Sequence, residues 1–226
     1  MIVKVLAVTA AALVGGNTAM ASGIPAGIIL SKGGSVTSIA HGTGIYMPPP
    51  RHDDGARVIF SNMATRYTDG LYFCCSGATV SASGSILNSQ SWPAMQFTAS
   101  ANAVVTEFDV AVQLVTGTNE VDLNLYADDN GLPGSLLDSV KVTGLPGTGS
   151  CCSLAVAKDK KGIPVTAGAH YWVAVTTDAS GTDTFANWAF NTTDQLDALP
   201  SAVNKGSGWV TNGGAVPAAS FAVYGK

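Results

Sequence analysis

The stretch TEFDVAVQLV, residues 106–115, alternates apolar and polar side chains over its whole length. Phe108, Val110, Val112 and Leu114 fall on one side, and Glu107, Asp109, Ala111 and Gln113 on the other. A period of two is the signature of a β-strand with one buried and one wet face. EVDLNLYA (120–127) repeats it, with Val121, Leu123 and Leu125 inward and Asp122, Asn124 and Tyr126 outward. AHYWVAVTT (169–177) sets Tyr171, Val173 and Val175 against His170, Trp172 and Ala174, and ASFAVYGK closes the chain with Phe221 and Val223 inward. Turn chemistry separates these runs: TGTN (116–119), ADDNGLPG (127–134), TAG (166–168) and DASGTD (178–183). Many short alternating strands joined by such turns predict an all-β, antiparallel β-sandwich or jelly roll. TDQLDALPSAV (193–203) offers at most one helical turn before Pro200.

Composition agrees and excludes some partners. Charged residues are only 12% of the chain and there are 26 glycines, a balance that favours strands and turns over surface helices. The net charge is −4 and the densest basic group is Lys158, Lys160 and Lys161, so nucleic acid is not an expected partner.

The N-terminus reads as an export signal. Lys4 precedes an apolar run from Val5 to Val14, and Ala19-Met20-Ala21 supplies the small-x-small cleavage site. The run is too short to span a bilayer, and the mature chain should begin at Ser22 with no membrane span. Residues 22–55 then form an irregular Gly- and Pro-rich extension, broken by Pro48, Pro49 and Pro50, and residues 56–226 form the β-sandwich domain.

WPAMQFTASANAVVTEFDVAV, then VDLNLYADDNGLPGSLL, then VTAGAHYWVAV, a late Trp and a terminal FAVYG resemble, in order and spacing, choice-of-anchor R type domains. The resemblance covers roughly residues 70 to 225 and is most specific from Leu125 to Leu137. It implies a bacterial secreted or cell-surface β-sandwich without catalytic residues. Anchored members carry a C-terminal hydrophobic tail or basic sorting signal; none precedes Lys226, so release is the expectation.

The four cysteines form two adjacent pairs, Cys74-Cys75 and Cys151-Cys152. Adjacent thiols chelate poorly compared with the usual C-x2-C spacing of zinc sites, and export implies oxidising conditions. Two arrangements remain. The pairs cross-link to each other, or each closes a vicinal ring. A vicinal bond joins Cα atoms about 3.8 Å apart, below the usual disulfide span, so the cross-link is favoured.

Catalytic groupings are thin. His41, His52 and His170 lie near no nucleophile-elbow sequence, and Glu107, Asp109 and Asp122 fall on phases where solvated carboxylates are expected. The chain therefore reads as a non-enzyme. Asp128, Asp129 and Asn130 form an oxygen-rich loop that reads first as a tight turn, with calcium as the alternative; no other cofactor is indicated. Trp188 and Trp209 sit in polar, Gly-rich contexts, flanked by Asp183, Asn187, Asn191, Asp194 and Gln195. Both rings read first as plugs of the sandwich core; the alternative is that, beside amides and carboxylates, they make a floor for sugar stacking. Three functions follow: a glycan- or surface-binding module, a structural protein of the cell exterior that self-associates through residues 22–55 and their IPAGIIL segment, and, trailing, a hydrolase.

Overall fold

The computed structural model describes residues 55–63, 71–73, 76–149, 153–178, 180–192, 199–212 and 217–226. Among them there is no helix. Thirteen strands follow in chain order: β1 (Arg57–Ser61), β2 (Gly77–Ser81), β3 (Trp92–Thr98), β4 (Ala103–Val110), β5 (Val112–Thr116), β6 (Glu120–Asp129), β7 (Leu132–Thr143), β8 (Ala155–Val165), β9 (His170–Thr176), β10 (Phe185–Ala189), β11 (Ser201–Asn204), β12 (Trp209–Thr211) and β13 (Phe221–Gly225). They build an antiparallel sandwich. Six strands make one sheet, in the order β12-β11-β3-β9-β6-β7. Against it lie a four-stranded sheet, β1-β13-β4-β8, and a three-stranded sheet, β2-β10-β5.

The two smaller sheets are joined at Ala111. The alternating run that reads as one strand is cut there: β4 pairs with β13, whereas β5 pairs with β10. Ala111 keeps both partners, donating its N–H to Ser220 O (3.1 Å) and accepting from Ala189 N (2.9 Å). The chain thus bends from one sheet to the next without leaving a backbone group unpaired.

The predicted inward residues meet in one core. Val121, Leu123, Leu125, Val173 and Val175 from the six-stranded sheet face Phe108, Val110, Phe221 and Val223. Phe221 is the hub, with Phe60 4.9 Å and Trp188 5.9 Å from it between ring centres. Such ring pairs add about 0.5 to 1.5 kcal/mol each beyond area burial.

The predicted wet face of β4 and β5 is not wet. Glu107 and Asp109 are each 1% exposed, and Ala111 and Gln113 are buried. Period two places them correctly on the second face, but both faces of this central strand are covered. Over β5 and β10 the cover is Leu71, Tyr72 and Leu154, packed on Ala111 and Ala189. Tyr72 Oη donates to Ser153 O at 2.7 Å, and Gln113 Nε2 donates to Tyr72 Oη at 3.1 Å. Glu107 has Lys158 Nζ 3.8 Å from its Oε2. The outer phase of β9 is likewise covered, with Trp172 and Ala174 both buried.

Candidate functional site

The outer face of the six-stranded sheet carries a row of small residues across four strands. Ala202 on β11 is paired with Ala94 on β3, Ala94 with Ala174 on β9, and Ala174 with Asn124 on β6. One step along, Gln96, Trp172 and Tyr126 form the neighbouring row. Three methyl side chains in line leave a shallow trough beside two aromatic rings. Trp209 packs into it. Its ring is half-buried against the cluster of Ala94, Trp172, Ala174 and Ala202, in company with Tyr126 and Leu132. Trp209 and Tyr126 meet edge to face, 5.6 Å apart at 73°.

Trp209 reaches that position because the β11–β12 hairpin curls over the sheet, bringing β12 against β7. The hairpin loop is pinned by Asn204, whose Oδ1 accepts from Gly206 N (2.8 Å), Gly208 N (3.3 Å) and Gln90 Nε2 (3.3 Å). Leu136, paired with Tyr126 and 53% exposed, extends the apolar character of this side. Trp92 lies in phase with Ala94 on the same face, half-buried, with Nε1 donating to Thr177 Oγ1 at 3.0 Å.

Asp128 locks the aromatic row. Its Oδ1 accepts from Trp172 Nε1 and from Gln96 Nε2, both at 2.7 Å, and its Oδ2 accepts from Gly131 N at 3.2 Å. Partial burial pushes this carboxyl up, but the donors Trp172, Gly131 and Gln96 outweigh it and hold the group below the ordinary carboxylate range. Both oxygens are thus committed to N–H donors, which a calcium ion would have to displace. Asp129 Oδ1 accepts from Asn130 Nδ2 at 2.8 Å, and Asn130 and Gly131 both take positive φ, +53° and +84°. That is the type I′ turn of a two-residue hairpin joining β6 to β7, so this geometry favours the turn over the calcium reading.

The other sequence candidates do not assemble around Trp209. Trp188 is a correction: it is fully buried, its Nε1 donating to Ser220 O at 3.0 Å inside the core. It cannot stack on a ligand, because β10 is paired on both sides and Trp188 shares the core phase with Ala186. Asn191 is also buried and clamps Ala218 O through Nδ2 at 2.8 Å, a structural bond rather than a sugar contact. Asn187 lies on the opposite face of β10 from Trp188, half-buried. Asp183 is exposed and accepts from Thr118 Oγ1 (2.6 Å) and Thr118 N (2.9 Å), which hold its carboxyl low. Asp194, Gln195 and all four cysteines lie outside the described residues, as does the extension up to residue 54.

A second polar cluster gathers Lys141, Glu120, Asp178 and Ser180. Ser180 Oγ is 2.9 Å from Lys141 Nζ, a spacing that invites comparison with a Ser–Lys nucleophile. Asp178 and Glu120, however, also bond the ammonium and push its pKa up. A lysine stabilised as a cation cannot serve as the base that such a nucleophile needs. Asp178 is held well below the usual range, chiefly by Lys141 and Ser180.

Sequence reasoning missed Tyr126, Trp172, Gln96 and the alanine row. Their signal lies in the second phases of β3, β6 and β9, of which only that of β6, with Tyr126, is read from the sequence as outward-facing. No known family model, curated protein or solved structure matches this chain. Among the described residues, no helix is long and apolar enough to cross a membrane, and no group of three or more His, Cys, Asp or Glu is placed to hold a metal.

Proposed function

We propose that the protein is exported and acts as a non-catalytic β-sandwich module, binding glycan or another cell-exterior surface through the outer face of its six-stranded sheet. The observation that carries this reading is the half-buried Trp209 ring, propped edge to face on Tyr126 over the alanine trough. A large, pre-positioned ring beside the side-chain amides of Asn204 and Gln90 is the combination that stacks on a sugar face and bonds its hydroxyls. Burial of Glu107 and Asp109 supports the non-catalytic part, since a hydrolytic carboxylate pair has to be reached by substrate. The all-β architecture agrees with the expectation drawn from choice-of-anchor R domains, and membership of that group belongs to the proposal. So does cross-linking of the 74–75 and 151–152 cysteine pairs.

The test is a glycan array on the mature protein, followed by titration of Trp209→Ala, Trp209→Phe and Tyr126→Ala against any hit. Binding should weaken about tenfold or more for Trp209→Ala, the equivalent of ~1.4 kcal/mol, with partial retention in Trp209→Phe. Hits whose affinity is indifferent to all three changes would remove this face from the reading. Light scattering of the same sample addresses the assembly alternative: an oligomer that falls apart when residues 22–55 are deleted would favour it.

A further inference from the structure

Three of the four tryptophan ring N–H groups are used inside the protein: Trp92 donates to Thr177 Oγ1, Trp172 to Asp128 Oδ1 and Trp188 to Ser220 O. The fourth, Trp209 Nε1, takes no hydrogen bond among the described residues. Neither does Tyr126 Oη beside it, nor the carboxyl of Asp122, which shares the outer phase of β6 with Tyr126. All three side chains are half-buried on the outer face of the six-stranded sheet. Partly desolvated polar groups without partners, set on an aromatic surface, are those that a ligand can satisfy.

The charge of this face selects among ligands. Lys141 is the only Lys or Arg in the six strands, whereas β6 alone carries Glu120, Asp122, Asp128 and Asp129. Lys141 lies directly across from Asp122, yet its ammonium is bonded to Asp178, to Ser180 Oγ at 2.9 Å and to Glu120 Oε1 at 3.4 Å. One ammonium thus stands among three carboxylates. The remaining bases of these strands and their loops are exposed: His170, with Nδ1 3.0 Å from Thr98 Oγ1, and Lys205 in the β11–β12 loop.

We propose that the glycan taken by this face is a linear oligomer carrying protonated amines, with one sugar ring on Trp209 and Tyr126 and the amine of a later unit paired with Asp122. The inference rests on the reading of this face as the binding surface and adds the chemistry of its ligand. An acidic glycan would bring like charge to Glu120, Asp122 and Asp178. A neutral one would offer Asp122 hydroxyl donors only, and a charge-assisted bond from an ammonium is roughly twice as strong. Aromatic faces favour a cation beside them as well. Burial and then the neighbouring Asp178 push the Asp122 carboxyl up, and an ammonium at hydrogen-bond distance offsets both. Length follows from register. Asp122 and Tyr126 are four residues apart on β6, about 13 Å at the rise of a strand, so consecutive units reach both and a monosaccharide does not.

The test titrates the mature protein with a glucosamine oligomer and with its fully N-acetylated counterpart of equal length. Calorimetry at mildly acidic pH keeps amines and carboxylates charged. The free-amine oligomer should bind about tenfold tighter, and glucosamine itself far more weakly than either. Asp122→Asn, which keeps the shape and removes the charge, should erase most of that preference, and Trp209→Ala should weaken the free-amine oligomer about tenfold. Equal or tighter binding of the acetylated oligomer, still sensitive to Trp209→Ala, overturns the amine and leaves the face as a glycan site. So does failure of both oligomers while other glycans bind in a Trp209-sensitive way. Binding matched by an oligolysine of equal charge, or untouched by both variants, is general attraction to an acidic protein and overturns the proposal. Indifference of every glycan to Trp209→Ala removes the underlying reading too. Should Asp122→Asn fail to fold, salt decides: rising ionic strength should weaken the free-amine oligomer more than the acetylated one, and equal slopes sink the proposal.

Discussion

Trp188 and Asn187 are neighbours in the chain and face opposite ways. The polar company of Trp188 in the sequence made it a ligand candidate, yet every second residue of β10 belongs to another surface. Local composition averages over two faces that a strand keeps apart. Trp188 instead fills core volume beside Phe221, so its truncation leaves a cavity. Trp188→Ala should cost about 3 to 5 kcal/mol of stability, while Trp209→Ala, half-exposed, should cost markedly less. Denaturant unfolding of both variants checks this; equal and large losses would mean that Trp209 is a core residue too, with no platform left to propose. Asp128 teaches the converse. Weighed as a ligand for calcium, it is an acceptor for Trp172, Gln96 and Gly131, and only the strand order, which sets β9 beside β6 and β3 beyond β9, reveals the first two donors.

Strands and their connections were the most legible level, because period two and turn residues are local signals. The β6–β7 hairpin shows how completely. Asn130-Gly131 supplies both positive φ angles that a type I′ turn demands, and the open space around Gly131 means nothing else fixes its identity. Gly131→Ala should therefore lose about 1 to 2 kcal/mol through backbone strain alone. Gly77 is constrained differently: a Cβ there would stand 2.1 Å from Trp188 O, across the β2–β10 pairing. Gly77→Ala should destabilise more than Gly131→Ala, since backbone must move. Melting the two variants side by side tests the order, and a milder effect at Gly77 contradicts this packing. The cover on the outer faces was illegible for a related reason. Whether Glu107 and Asp109 meet water depends on which distant segment lies over β4, and alternation carries no record of that.

At the scale of the whole molecule, the remaining question is what ties residues 71–76 to residues 150–155. The described flanks already converge. Tyr72 Oη bonds Ser153 O at 2.7 Å, Leu71 and Leu154 join one apolar cluster over Ala111 and Ala189, and Phe190 N donates to Ser76 O at 2.9 Å. The described flanks of the two cysteine pairs thus meet at one patch of the molecule, and the proposed cross-link would fasten them there. Closing a loop of roughly 75 residues would lower the entropy of the unfolded chain by the equivalent of about 4 kcal/mol, less any strain. That is a large share of the 5 to 15 kcal/mol typical of a domain, so reduction should lower the melting temperature by several degrees or more. Peptide mapping without reductant should recover the peptide containing Cys74 and Cys75 joined to the one containing Cys151 and Cys152. Separate peptides, each lighter by two hydrogens, would establish vicinal rings and leave Tyr72 and Ser153 as the tie between these segments.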